Sequence, residues 1–174
     1  MTPPDSVRLA LPAEATDIAR LQRRSWAKHP ALRAGLAGLS ADDTTRVWHE
    51  AIVRPPMAHF RVMVALGSGS IVGFCALGPS EDPDADPSDG MIHEFVVDEA
   101  DVSAGHSSRL LNAAVDTLRA DGYEVAVIWI PSDADVLREF LLEAGWGADG
   151  AHREVGVDDD SPSLKLIRLH TLIG

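Results

Sequence analysis

The stretch HEFVVDEADVSAGHSSRLL, His93 to Leu111, decides the reading of this chain. Its first residues close an apolar run, MIHEFVV from Met91 to Val97, that predicts a strand. Between Asp98 and Gly105 the chain turns. Leu110, Leu111, Ala114, Val115 and Leu118 then repeat at helical spacing, and Gly122 offers a residue that can end a helix in the left-handed region. A strand running through a glycine-bearing turn into a helix is the central unit.

Working outward toward the N-terminus, FRVMVAL (Phe60 to Leu66) and IVGFCAL (Ile71 to Leu77) flank Gly67, Ser68 and Gly69, a hairpin signal. Before them, Val7 to Leu11 predicts a short strand. Pro12 and Glu14 suit the first turn of a helix to about Trp26, with Ala15, Ile18, Ala19 and Gln22 on one face. Pro30, Gly35 and Gly38 interrupt the next segment. Ser40 and Asp43 form a capping box for a helix carrying Val47, Trp48, Ala51 and Ile52, which Pro55 and Pro56 end. Pro79 to Gly90 is rich in Pro and Asp and predicts a solvated loop.

Toward the C-terminus, Glu124 to Ile130 predicts a buried strand. Ser132 and Asp135 predict a capping box for a helix with Val136, Leu137, Phe140, Leu141 and Ala144 on one face, stopping at Gly145. Strands over Ala148–Val157 and Leu164–Leu172 complete the order β-α-α-β-β-β-α-β-α-β-β. These elements predict an α/β fold with a mixed sheet and helices on both faces, as one domain over residues 1–174.

Bulk properties narrow the function. With 174 residues, 45% of them hydrophobic, the chain can bury one core, and a split would leave each half short of apolar burial. Its net charge of −12 disfavours a phosphate backbone as partner, which argues against nucleic acid, and suits solubility or a cationic ligand. The single cysteine, Cys75, precludes an internal disulfide and reads as a small buried hydrophobe. No signal peptide or membrane-spanning run is legible, so a cytoplasmic location is expected. No histidine pair has helical ligand spacing, and the acidic loop fails the calcium-loop pattern because Asp89 stands where a glycine is needed. No metal is expected.

The order of elements and the quoted stretch resemble the GNAT superfamily of N-acetyltransferases. Val97, Asp98, Gly105, Leu110 and Leu111 fall at the spacings of the family's strand, glycine loop and helix. LREFLLEAGW, Leu137 to Trp146, and the tail LKLIRLHTLI are similar to its later elements. The resemblance implies acetyl-CoA as co-substrate and direct transfer of its acetyl group, in a ternary complex, to a primary amine of a small molecule or peptide. It also implies a homodimer as a common state. The pyrophosphate would meet the backbone amides of Gly105, His106, Ser107 and Ser108 at a helix start, where unpaired N–H groups and the helix dipole favour an anion. Ala104 belongs to the same loop, and Arg109 offers a compensating charge. Phe95, Val96 and Val97 would present backbone to the pantetheine arm, with Val96 near the oxyanion.

This chain departs from the family pattern. Val102 stands where Gln or Arg is usual, Ala104 where a basic residue is common, and Ser107 where Gly or Ala is expected. Leu141 occupies the place of a tyrosine that often protonates the departing thiolate. The resemblance places the catalytic base among His93 and Glu94. As strand neighbours they are expected on opposite faces, His93 sharing its face with Phe95 and Val97. The alternative is a structural histidine beside a solvated glutamate. Trp26, His29 and Trp48 lie where the family builds its acceptor wall, and the tryptophans read equally as core anchors. The departures leave a second functional reading, a module that binds acyl-CoA as a sensor or acts through another protein.

Overall fold

The computed structural model describes residues 4–98, 105–156 and 158–174. Its strands are β1 (Ser6–Leu9), β2 (Arg61–Gly67), β3 (Ser70–Pro79), β4 (Asp89–Val97), β5 (Val125–Pro131), β6 (Gly147–Val155) and β7 (Leu164–Leu172). Its helices are α1 (Ala15–Trp26), α2 (Pro30–Leu36), α3 (Ala41–Val53), α4 (His106–Ala120) and α5 (Asp135–Glu143), and a 3₁₀ turn over Pro12–Glu14 precedes α1. The strands form one seven-stranded sheet in the order β1-β2-β3-β4-β5-β7-β6. Neighbours are antiparallel except β4 and β5, which α4 connects as a parallel pair.

Local chemistry explains most boundaries. Ser68 and Gly69 turn between β2 and β3 with φ of 51° and 82°, both in the left-handed region that a tight hairpin demands. The Ser40 hydroxyl accepts from the Asp43 amide at 3.0 Å, and the Asp43 carboxylate accepts from the Ser40 amide at 3.2 Å, so the expected capping box forms. At the end of α5, Gly145 takes φ of 94° and the Trp146 amide donates to the Leu141 carbonyl at 3.0 Å. Leu141 and Trp146 are buried in the same core, so the glycine–tryptophan pair is a helix stop sealed by an apolar contact.

Several expectations change. Pro30 opens α2 rather than breaking the segment, because its fixed φ suits the first helical position. The box expected at Ser132 is absent: Ala134 precedes α5 without a side-chain cap. Ser132 is instead drawn to β7, its amide donating to Lys165 at 2.8 Å, while its carbonyl accepts from Arg138 at 2.9 Å. The loop between β3 and β4 is not wholly solvated, since Asp82 is buried. Its carboxylate accepts from Trp129 Nε1 at 2.9 Å and from Arg168 at 3.0 Å. Cys75 is buried, as expected. No helix among the described residues is long and apolar enough to cross a membrane.

The sheet separates two apolar layers. On one face Leu110, Leu111, Ala114 and Leu118 of α4 and Leu141 of α5 pack on Leu77, Ile92, Ile128, Ile130 and Leu169. On the other, Ile18, Ala19 and Leu21 of α1 and Trp48 of α3 pack on Val62, Val64, Phe74 and Val96. Removing this apolar surface from water is the main favourable term for both layers. Between the two helical layers, the sheet itself opens where β4 and β5 part.

Candidate active site

The opening arises from pairing. β4 and β5 are in register only from Asp89↔Val125 to Ile92↔Ile128. Beyond this, β5 continues beside β7 as far as Pro131↔Leu166, while β4 follows β3 to Gly73↔Val97. From His93 to Val97, β4 therefore has no β5 partner, and its backbone groups on that side look into a cleft of about 870 Å³. That volume lies at the upper end of small-molecule sites and leaves room for two reactants.

A bulge aims the side chains. Ala76 pairs with Glu94 and Leu77 with Ile92, so His93 is an extra residue with no opposite number on β3. One inserted residue resets the alternation of the strand. Ile92 packs in the α4 layer, and Phe95 stacks on Phe140 of α5 at 6.4 Å between ring centroids. His93 instead approaches Phe60 on the α1 side, at 5.8 Å, and Glu94 meets Gln22 of α1. His93 and Glu94 thus share one face, and Phe95 and Val97 occupy the other, which corrects the expectation from simple alternation.

Glu94 sits at the floor of the cleft, where burial pushes its carboxyl up to about 7 against the opposing hydrogen bond from Gln22. That bond, Gln22 Nε2 to Glu94 Oε1, spans 3.4 Å. The Gln22 carboxamide is itself oriented: its Oε1 accepts from Trp48 Nε1 at 2.8 Å. An indole N–H can only donate, so the Gln22 oxygen must face Trp48 and its NH₂ must face Glu94. Trp48, expected in the acceptor wall, is buried edge-on against Phe74 and does not line the cleft. It acts on the site through Gln22.

His93 is held differently. Its Nε2 lies 3.2 Å from the Pro79 carbonyl, which fixes the hydrogen on Nε2, and Nδ1 lies 3.7 Å from Glu81. Burial lowers its pKa, with Glu81, the Pro79 carbonyl and Asp82 opposing. His93 is neutral near pH 7 and has one ring nitrogen already engaged.

At the other end of the cleft, Gly105 adopts φ of 79° immediately before α4, and among the described residues no side chain caps the helix. Gly105, Ser107 and Ser108 line the cleft there with Phe140. Among the described residues the first-turn amides of this fifteen-residue helix therefore meet no competing cap. His106 turns its ring away: it is buried beneath Gly67, where an added Cβ would lie 2.7 Å from the imidazole. The Arg109 guanidinium bonds to His106 Nδ1 and to Asp5 at 3.2 Å, so its described contacts run toward the N-terminal strand rather than into the cleft. Ala104 and Val102 lie outside the described residues. Leu141 is fully buried in the α4 layer and does not reach the cleft, whereas its neighbour Phe140 does. The single tyrosine, Tyr123, packs near His59 and Gly90, away from the cleft.

Trp26 and His29 line the cleft from the α1–α2 connection, with Leu32 beside them. Opposite stand residues that sequence reasoning did not single out: Trp129 of β5, Arg153 of β6 and Leu166 of β7. Arg24 also lines the cleft and pairs with Asp98 at 2.8 Å. A polar Gln22 on an otherwise apolar helical stripe was the available signal for the Glu94 support. No comparable signal marks Arg153, since β6 reads as a plain edge strand. Among the described residues no group of potential ligands is placed to hold a metal ion.

The site is thus a sheet opened between parallel strands, with a helix start that has no side-chain cap among the described residues at one end and a carboxyl of raised pKa in its lining. Residues 18–146 match the model of the Acetyltransferase (GNAT) family, and the chain belongs to that family. Solved structures agree on the fold. The N-acetyltransferase from Staphylococcus aureus Mu50 superposes with a TM-score of 0.79 at 18% identity, covering 99% of this chain and 100% of its own. The structure of yncA from Salmonella typhimurium, solved with its cofactor acetyl-CoA, gives 0.74 at 18% identity over 98% of this chain and 94% of its own. The ribosomal-protein-alanine N-acetyltransferase from Brucella melitensis gives 0.74 at 16% identity over 95% and 98%. No curated protein matches this chain by sequence.

Proposed function

We propose that the protein is an acetyl-CoA-dependent N-acetyltransferase that moves the acetyl group directly to a primary amine, with Glu94 as general base. The observation that carries this is Glu94 itself: a carboxyl pushed up to about 7, aimed into the cleft where β4 leaves β5. A base of that pKa is half ionised near neutral pH, where proton acceptance from an amine is most effective. Family membership and the neighbour solved with acetyl-CoA support the choice of co-substrate. The pantetheine arm would lie along Phe95, Val96 and Val97, and the pyrophosphate at Gly105, His106, Ser107 and Ser108 through their amides. In the reaction the amine nitrogen bonds to the thioester carbonyl carbon, one amine proton passes to Glu94, and the C–S bond breaks to release CoA as a thiolate. With no tyrosine at the cleft, that thiolate takes its proton from water, which its weak basicity permits.

The second reading, a module that binds acyl-CoA without efficient turnover, draws on the burial of Leu141 in place of an acid. Isothermal titration with acetyl-CoA and CoA, followed by thiol release with an amine panel, separates the two. The enzyme reading expects a Kd below about 100 μM, roughly 5.5 kcal/mol of affinity, with thiol release that depends on amine. Tight binding with no release favours the module, and no heat at millimolar cofactor overturns both.

A further inference from the structure

We infer that the acceptor carries a carboxylate a few bonds from its amine, and that Arg153, seated on Trp129, receives it. The inference rests on the acetyltransferase reading and names the acceptor class.

Three strands bring the receiving group to the correct face. Ile167 and Leu169 of β7 pack in the α4–α5 layer, so Leu166 and Arg168, which alternate with them, face the α1 side. Arg153 pairs with Leu166, and Trp129 pairs with Arg168. Arg153 and Trp129 therefore stand on the face that the bulge gives to His93 and Glu94, and all four line one cleft. The α1–α2 residues Trp26 and His29 close the opposite wall.

The receiving group is built rather than incidental. The Arg153 guanidinium lies over the Trp129 ring, 4.2 Å from its centroid, a stacking that suits a planar cation. The ring is pinned because its Nε1 donates to both Asp82 carboxylate oxygens, at 2.9 and 3.1 Å. Asp82 is already matched by Arg168 at 3.0 Å, while Arg153 stays 4.0 Å from it. Among the described residues the Arg153 side chain makes no hydrogen bond, and 48% of it is exposed. A guanidinium offers five N–H donors in a fork that matches a carboxylate. Val155, Leu164 and Leu166 surround it, and displacing water from that apolar wall strengthens the charge pair.

An amine with its own carboxylate would pair that carboxylate with Arg153 while the amine faces Glu94, since both groups line the one cleft.

The test is direct binding, by calorimetry with and without saturating CoA, of two matched pairs. One pair is L-leucine and L-leucinamide. The other is the peptide amides Glu-Ala-Ala and Gln-Ala-Ala. Wild type, Arg153→Gln and Arg153→Lys are compared, with thermal melts to confirm that all fold. The expected result is that the carboxylate member of one pair binds at least about tenfold tighter than its amide partner, about 1.4 kcal/mol. Arg153→Gln should bring that ratio to about one, and Arg153→Lys should restore part of it. Preference within the first pair points to free amino acids, and within the second to peptide ends. Equal binding within both pairs, or a preference that survives in Arg153→Gln, overturns the inference. So does a loss confined to CoA affinity, which would make Arg153 a cofactor contact. Failure of CoA binding alongside a retained carboxylate preference would count against the acetyltransferase reading alone.

Discussion

Glu94 embodies a conflict between stability and chemistry. Its folded carboxyl holds a proton up to about pH 7, against an ordinary value of 4.5. A raised carboxyl pKa means that stability is complete below about pH 4.5 and drains as pH rises through about 7, because the folded chain must then bury a charge. Removing the charge should therefore stabilise. Glu94→Gln is expected to match wild type in urea melts near pH 4.5 and to exceed it at pH 8 by up to about 3 kcal/mol. The carboxamide oxygen it introduces would still accept the Gln22 N–H. The same variant should lose about 10²- to 10⁴-fold in kcat, and wild-type kcat/KM should rise with unit slope below about pH 7. A Glu94→Gln protein less stable than wild type at pH 8 would show that the carboxylate is held by more than Gln22. His93 differs from Glu94 in having a lowered pKa and an Nε2 held by the Pro79 carbonyl.

At the scale of elements, the start of α4 depends on the β2–β3 hairpin. His106 fits only because Gly67 carries no side chain, since an added Cβ would come within 2.7 Å of the ring. Gly67→Ala must push the imidazole, and with it the first turn of α4, away from β2. The expected cost is about 1–3 kcal/mol in a denaturant melt, together with a several-fold weaker acetyl-CoA Kd and an unchanged pH profile. Unaltered cofactor affinity at full loss of stability would dissociate the helix start from the cofactor. The β4 bulge works at the same scale. The strand was legible in the sequence, as were the hairpin, the helix after Gly105 and the Ser40 capping box, because each rests on residues close together in the chain. The Ser132 box and the break at Pro30 fail for the complementary reason. Ser132 is claimed by β7, and Pro30 fills a helix start whose end Ala37 supplies.

At the scale of the molecule, Arg168 ties distant segments together. From β7 it bonds to Asp82 at 3.0 Å and Asp84 at 2.7 Å in the β3–β4 loop, and to Asp149 of β6 at 2.7 Å. The network raises the guanidinium pKa further, through Asp84 first and then Asp82 and Asp149 against desolvation. It also sets the Asp82 carboxylate that pins Trp129. Arg168→Ala would leave Asp82 buried with Arg153 only at 4.0 Å. Loss of one partner from such a pair costs about 3–5 kcal/mol, and chemical denaturation monitored by tryptophan fluorescence should read it. A loss under about 1 kcal/mol would mean that water replaces the guanidinium without penalty.

The amino-acid sequence by itself determined the strands, the hairpin, the glycine before α4 and the helix that follows it, because these rest on local periodicity and turn chemistry; it missed α2, and the family entered only as a resemblance carried by its motifs. It also singled out His93, Glu94, Trp26 and His29 as candidates, expecting at most one of the two strand neighbours to face the cleft, whereas all four line it. Only the tertiary structure decided how they face. A period-two reading of β4 cannot show that β3 skips His93, because a bulge is a property of the pair of strands, and that one skip moves Glu94 to the face of α1. Trp48 likewise leaves the acceptor wall for the core, since helix α3 packs it on Phe74 and Gln22. Arg153 and Trp129 meet only because β7 lies between β5 and β6 in the sheet, a long-range order that no local spacing in the chain records.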